Sequence, residues 1–194
     1  GASLEYMTGS YGLQNIFASA GFGNGENKNH FTYAHNESDG YRVQTAMRRD
    51  NISWTSQLKS SERQQLTASL LFTDMYYQTP GALTLAEFNA DPKAARPAGG
   101  GFPGAVNAKA AIFQKTILAG FSNQYYITSA FKNYTSLYGA FVQIKNSAIR
   151  NYERRNEPGF GGRTVFTLEK KQDKLIWQAA GGSEFQKGYF NTQV

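Results

Sequence analysis

Apolar and polar residues alternate with a period of two over most of the chain. Leu66, Ala68, Leu70 and Phe72 share one side of a run whose other side is Gln65, Thr67 and Ser69. Ile52, Trp54, Ser56 and Leu58 oppose Asn51, Ser53, Thr55 and Gln57, and Phe31 and Tyr33 oppose His30 and Thr32. Phe166 and Leu168 oppose Val165, Thr167 and Glu169. Successive side chains of a strand point to opposite faces, so this period predicts strands with one apolar and one wet face. The β-branched and aromatic content of the runs agrees. The pattern predicts about nine strands, near residues 3–8, 14–22, 28–35, 51–58, 65–76, 111–121, 124–134, 163–171 and 174–181. No stretch approaches the roughly 18 consecutive apolar residues of a membrane helix. That leaves open a membrane β-barrel, whose strands alternate.

The connections narrow the choice. Short polar turns are predicted at 23–27, 60–63, 122–123 and 172–173, and a compact one at 9–12. Long connections fall at 36–50, 78–109 and 136–162. Long and short therefore alternate, and all long loops lie at one end. A soluble sandwich has no reason for this, whereas an outer-membrane barrel has short turns on one side and long loops on the other. The predicted fold is all-β, an antiparallel up-and-down meander forming part of a transmembrane β-barrel, with residues 1–194 as one segment. Within the second long loop, Thr84-Leu85-Ala86-Glu87 has the form of a capping box and predicts a helix over 84–90. Asp91-Pro92 predicts a second short helix over 92–95. Gly99-Gly100-Gly101, followed by Phe102-Pro103-Gly104, predicts a mobile stretch.

Composition removes several kinds of chemistry. The 194 residues are 40% hydrophobic and only 18% charged, with 14 Phe, 12 Tyr and 2 Trp, which excludes a disordered chain. The absence of Cys excludes disulfides, zinc-thiolate sites and a thiol nucleophile. His30 and His35 stand an odd number of residues apart and face opposite sides of one strand, so no shared metal site is predicted. Gly21-Phe22-Gly23-Asn24-Gly25 lacks the glycine spacing and the helix of a phosphate-binding loop and reads as a hairpin turn. The carboxylates read inside strands, Glu5, Asp74 and Glu169, form no convergent pair, so no catalytic residues and no cofactor are predicted.

A net charge of +6 and a pI near 9.4 point to an anionic partner. The strand faces carry too few Lys and Arg for a nucleic-acid stripe. Charge concentrates in the loops. In the first long loop Arg42, Arg48 and Arg49 are balanced by Glu37, Asp39 and Asp50. The third, with Arg163 just past its end, carries Lys145, Arg150, Arg154, Arg155 and Arg163 against Glu153 and Glu157, five minus two, an excess of +3. Guanidinium groups match carboxylate and phosphate oxygens in a planar fork. The candidate ligand-binding residues are therefore the loop arginines Arg42, Arg96, Arg150, Arg154 and Arg155. The bland alternatives are pairing with neighbouring acids or contact with lipopolysaccharide phosphates.

Four stretches in order along the chain carry a resemblance. Thr8-Gly9-Ser10-Tyr11-Gly12 resembles the turn after the first barrel strand of TonB-dependent outer-membrane receptors. Ser38-Asp39-Gly40-Tyr41-Arg42 with Arg48-Arg49-Asp50-Asn51 is similar to their first large loop. Thr79-Pro80-Gly81-Ala82-Leu83-Thr84 with Phe88-Asn89-Ala90-Asp91-Pro92, and Ile149-Arg150-Asn151-Tyr152-Glu153-Arg154-Arg155, resemble the iron-chelate members, those like the ferric citrate receptor.

The resemblance implies a barrel wall without its plug domain, cut from the N-terminal part of the barrel. Gly1-Ala2-Ser3, with no initiator Met and no signal peptide, fits a segment of a longer protein, Gly1 reading as a residue left by cloning. The implied parent imports a ferric chelate (a siderophore or a ferric citrate-like complex) across the outer membrane of a Gram-negative bacterium. Its implied partners are the iron chelate, outer membrane lipid and an inner-membrane energy-coupling protein. The same family also imports glycans and cobalamin, and a soluble small-ligand-binding β-barrel is a further alternative. An isolated piece of wall exposes two strand edges, which predicts closure into a smaller barrel or self-association of copies through those edges.

Overall fold

The protein is described here by a computed structural model covering residues 1–148, 152–172 and 175–194. The strands are β1 (Ala2–Thr8), β2 (Gln14–Gly23), β3 (Asn27–Ser38), β4 (Met47–Ser61), β5 (Gln64–Gln78), β6 (Ala111–Tyr126), β7 (Phe131–Ser147), β8 (Tyr152–Gln172), β9 (Leu175–Gly188) and β10 (Asn191–Gln193), with one helix, α1 (Leu85–Ala90), between β5 and β6. Each strand from β1 to β8 pairs antiparallel with the next. Both β9 and β10 lie on the far side of β8. The amide of Tyr189 donates to the Pro158 carbonyl at 2.8 Å, so β9 and β10 form one line interrupted at Tyr189 and Phe190. This is the all-β up-and-down meander the alternation predicts.

Two connections differ from expectation. Residues 122–123 are no turn but lie inside β6; the turn falls at Ile127-Thr128-Ser129-Ala130, where the Thr128 hydroxyl accepts from the amides of Ala130 and Phe131 at 3.2 and 3.0 Å. The predicted long loop over 136–162 is mostly strand: β7 runs to Ser147 and β8 begins at Tyr152, paired continuously from Ser147↔Tyr152 to Phe131↔Leu168. Gly159, Gly161, Gly162 and Pro158 disguise this strand as loop. Gly161 is glycine for a packing reason, since a Cβ there would meet the Tyr138 ring and the Phe185 carbonyl at 2.7 Å. The turn at 172–173 lies partly outside the described residues.

The β5–β6 loop is folded. Thr84 caps α1 by accepting from the Glu87 amide at 3.3 Å, and the Glu87 carboxylate accepts from the Thr84 amide at 2.7 Å, the reciprocal box the sequence predicts. The second helix over 92–95 is absent. The chain makes only a turn there, with the Asp91 carboxylate accepting from the Lys93 amide at 2.9 Å. Gly99 and Phe102 exchange both backbone hydrogen bonds, at 3.0 and 3.1 Å, across Gly100 and Gly101 with φ of +60° and +80°. Positive φ at both central positions defines a type I′ turn, so the glycine run is there for its backbone geometry.

The sheet has almost no interior. Among the described residues the buried hydrophobic side chains are three alanines, Ala105, Ala110 and Ala111, all at or beside the β5–β6 loop. Register shows where the large apolar groups go. Tyr33, Ile52, Phe72, Ile117, Phe141 and Pro158 form one row across six strands, and Phe31, Trp54, Leu70, Ala119, Gly139 and Phe160 the next. This face lies open, with Leu70 42%, Ile117 46% and Phe160 51% exposed. Water-facing apolar patches rarely exceed a few hundred Å², and a face of this extent has the character of one that meets lipid. On β5 the apolar stretch lies between Gln64 and Asp74, about 34 Å along the strand, or about 24–28 Å when tilted as barrel strands are, against a typical band of about 25 Å.

No closure occurs: β1 pairs only with β2, and among the described residues nothing pairs the outer edges of β9 and β10. The expected small closed barrel is therefore not formed.

Candidate functional site

The candidate surfaces are the polar face of the sheet and the rim at its long-loop end. The polar face is built from alternate residues of the same strands and is held by side-chain ladders. The Asn36 amide donates to Asn15 at 2.6 Å, the Thr73 hydroxyl donates to Asn51 at 2.8 Å, and Ser3 and Ser19 hydroxyls meet at 2.8 Å. In a barrel this face lines the interior, where short hydroxyl and amide groups satisfy one another.

The rim is clipped into one unit by three connections. The Tyr11 carbonyl, in the β1–β2 turn, accepts from the Asp39 amide at 2.8 Å and the Ser38 hydroxyl at 3.1 Å. Tyr41 of the β3–β4 loop packs edge-on to Tyr11, centroids 5.6 Å apart, and Lys93 of the β5–β6 loop lies 5.3 Å over the Tyr41 ring. The Val43 amide donates to Lys93 at 2.8 Å. Glu87 in α1 has its carboxyl held below its ordinary range, chiefly by the hydrogen bond from the Thr84 backbone amide and then by the Thr84 hydroxyl.

The predicted arginines do not form one cluster. Arg42 is a staple: its Nε and Nη2 donate to the Ala94 carbonyl at 3.2 and 2.9 Å, and Nη2 to the Gly81 carbonyl at 3.2 Å. Arg96 Nη1 donates to the Pro103 carbonyl at 3.2 Å inside the β5–β6 loop. Arg150 lies outside the described residues. Arg154 and Arg155 are neighbours on β8, so they project to opposite faces. Arg154, opposite Lys145, is on the apolar side above its band. Arg155 is on the polar side, between Glu153 and Glu157. Its Nε sits 3.1 Å from Glu153 Oε1 without the alignment of a hydrogen bond, and its Nη1 3.4 Å from Glu157 Oε1. One guanidinium between two carboxylates leaves a net −1, so Arg155 alone makes no anion site.

Arg49 is the residue that sequence reasoning missed. In the sequence Arg48 and Arg49 read as one pair balanced by nearby acids. The register separates them: Arg48 faces Glu37 across β3–β4 and contacts Asp50 at 3.5 Å, whereas Arg49 is opposite Asn36 and Met75 on the polar face. Asn36, Arg49, Met75, Gln114, Ile144 and Arg155 lie in one transverse row. Arg49 is exposed, and among the described residues no carboxylate pairs with it. The signal was present in the alternation, because Arg49 is in phase with Asn51 and Ser53 of the polar side.

His35 and Asp50 bond at 2.7 Å on the apolar side at the band's edge, and Asp50 also accepts from Tyr33 at 2.9 Å. Among the described residues no His, Asp and Glu group is arranged to hold a metal ion.

No known family profile matches the sequence, and no curated protein matches it. Solved structures that share the fold include two import proteins. The ferric citrate transporter FecA in its unliganded form superposes with a TM-score of 0.71 at 15% identity over 98% of this chain and 29% of its own. The ferric-catecholate import receptor Fiu from E. coli K12, open form, superposes with a TM-score of 0.73 at 10% identity over 97% of this chain and 34% of its own. The chain thus has the fold of a stretch of a TonB-dependent receptor barrel, and it spans about a third of the length of the proteins it resembles.

Proposed function

We propose that this chain is barrel wall of an outer-membrane receptor that imports a ferric chelate. The observation that carries the reading is the superposition of nearly the whole sheet on two receptors whose cargo is a ferric chelate. The uncovered apolar face, of the height a bilayer needs, supports the outer-membrane setting. The wall itself performs no bond-breaking step. It encloses a polar passage and presents charge at the mouth, and an energy-coupling partner and a plug domain would belong to the whole receptor.

In this reading the anionic chelate meets cations on the polar side of the rim. Arg49 is the first candidate, because its guanidinium is exposed and, among the described residues, has no carboxylate partner. Arg155 shares its row and exchanges Glu153 and Glu157 for ligand oxygens only at the cost of freeing two acids. Arg42 and Arg96 act by holding the loop that frames the mouth.

The test is a titration of the protein in detergent with ferric citrate, a ferric catecholate, cobalamin and a neutral oligosaccharide. A ferric chelate should bind, and Arg49→Gln should weaken it by about tenfold or more, the value of one charge-assisted contact, while Arg48→Gln leaves it within about twofold. Binding of cobalamin or the oligosaccharide with no response to either chelate would replace this reading by the other cargo.

A further inference from the structure

We propose that Lys145 and Arg154 form a binding site for the phosphate group of an outer-leaflet lipid. They are paired directly across β7 and β8, on the apolar side, with Phe113 beyond Lys145 and Gln193 beyond Arg154 in the same row. Two like charges opposite one another on a sheet repel. Among the described residues neither has a carboxylate partner, since the carboxylates nearest in sequence, Glu153 and Glu157, project from the other face and hold Arg155.

The rest of this belt is different. From β3 to β6 the outward row of charges carries Glu37, Asp50 and Asp74 against Arg48 and Lys115, and its members pair internally: Arg48 with Asp50 at 3.5 Å, Lys115 with Asp74 at 3.1 Å and His35 with Asp50 at 2.7 Å. With His35 neutral that part sums to −1, three acids against two cations. The β7–β8 part sums to +2. A pair of cations with no carboxylate partner among the described residues is complementary to an anion supplied from outside.

Position identifies the anion's carrier. The pair stands one row above Lys115 and Gln143, which border the apolar band, and below it lie Ile117, Phe141 and Phe160, each at least 40% exposed. Tyr152, 53% exposed, lies one step above, as aromatic residues do at a membrane interface. A molecule with a phosphate at that level and acyl chains against those rings satisfies both features, which a free anion does not. The inference rests on the outer-membrane reading of this chain.

The test uses the full chain in non-ionic detergent and native mass spectrometry, with three probes: diphosphorylated lipid A, its dephosphorylated counterpart with the same acyl chains, and orthophosphate. The chain should retain the phosphorylated lipid. The double variant K145Q/R154Q should lose at least tenfold of that retention, R154K should keep most of it, and K59Q, at the opposite end of β4, should match the parent. Equal retention of the dephosphorylated lipid, equal binding of orthophosphate alone, or full retention by K145Q/R154Q would each overturn the site. Stability supplies a second reading: without lipid the double variant should be as stable as the parent or more so, because a repulsion is removed, and a large loss would assign the pair a structural role instead. Insertion into phosphatidylcholine vesicles separates the two levels. A chain that inserts but ignores lipid phosphate refutes this inference alone, and a chain that does not insert refutes the membrane reading with it.

Discussion

Leu70 is the position at which the orientation of the wall is most sharply tested. It lies on the apolar face of β5, opposite Trp54 on β4 and Ala119 on β6. The nearest charged row, at Asp74, is four residues away, about 10 Å along the membrane normal for a tilted strand. Leu71, its neighbour, projects to the polar face between Ser53 and Leu118. Leu70→Arg therefore places a guanidinium near the bilayer midplane, where the cost is about 2–4 kcal/mol, or about 30- to 700-fold in the folding equilibrium. Leu71→Arg places the same group on the wet side and should cost about 1 kcal/mol or less. Denaturant titration in lipid vesicles, read by the fluorescence of Trp54 and Trp177, measures both. A loss from Leu71→Arg equal to or larger than that from Leu70→Arg would show that the apolar face is not the lipid face.

Thr84→Ala should fray α1 at a cost of about 1 kcal/mol, seen as faster amide exchange at Glu87 and Phe88 with the strands unaffected. Because Glu87 has its folded-state carboxyl lowered by Thr84, the cap's contribution is present above the unfolded carboxyl range and is lost as pH falls through the folded value; protection of these amides relative to their intrinsic exchange rate should therefore fall in acid, and a pH-independent protection would refute the assignment. Gly161→Ala should destabilise the sheet by about 1–3 kcal/mol through overpacking against Tyr138 and the Phe185 carbonyl, measured by the same denaturant titration, whereas Gly181→Ala, with open space around it, should be nearly neutral.

The alternation of residues was sufficient to reveal an all-β chain and the two faces of its strands as far as β5, because a period of two needs only local sequence. The capping box at Thr84 and Glu87 was legible for the same reason: its partners lie three residues apart. Where the sequence misled, distant contacts decided. Ser122 and Asn123 have turn chemistry, yet pairing of β6 with both neighbours carries the strand through them, and the turn forms at Thr128 instead. Pro158, Gly159, Gly161 and Gly162 look like loop, yet β8 is strand because β7 offers a full ladder and Gly161 leaves room for Tyr138. The arginines divide in the same way. Read as loop residues in the sequence, Arg48 and Arg49, and Arg154 and Arg155, take opposite faces only because β4 and β8 extend over them. Only the register between strands shows that Arg48 finds Asp50, that Arg155 lies between two carboxylates in the row of Arg49, and that Arg154 meets Lys145. Local spacing determines which side a residue takes, and pairing across strands many residues apart determines what it finds there.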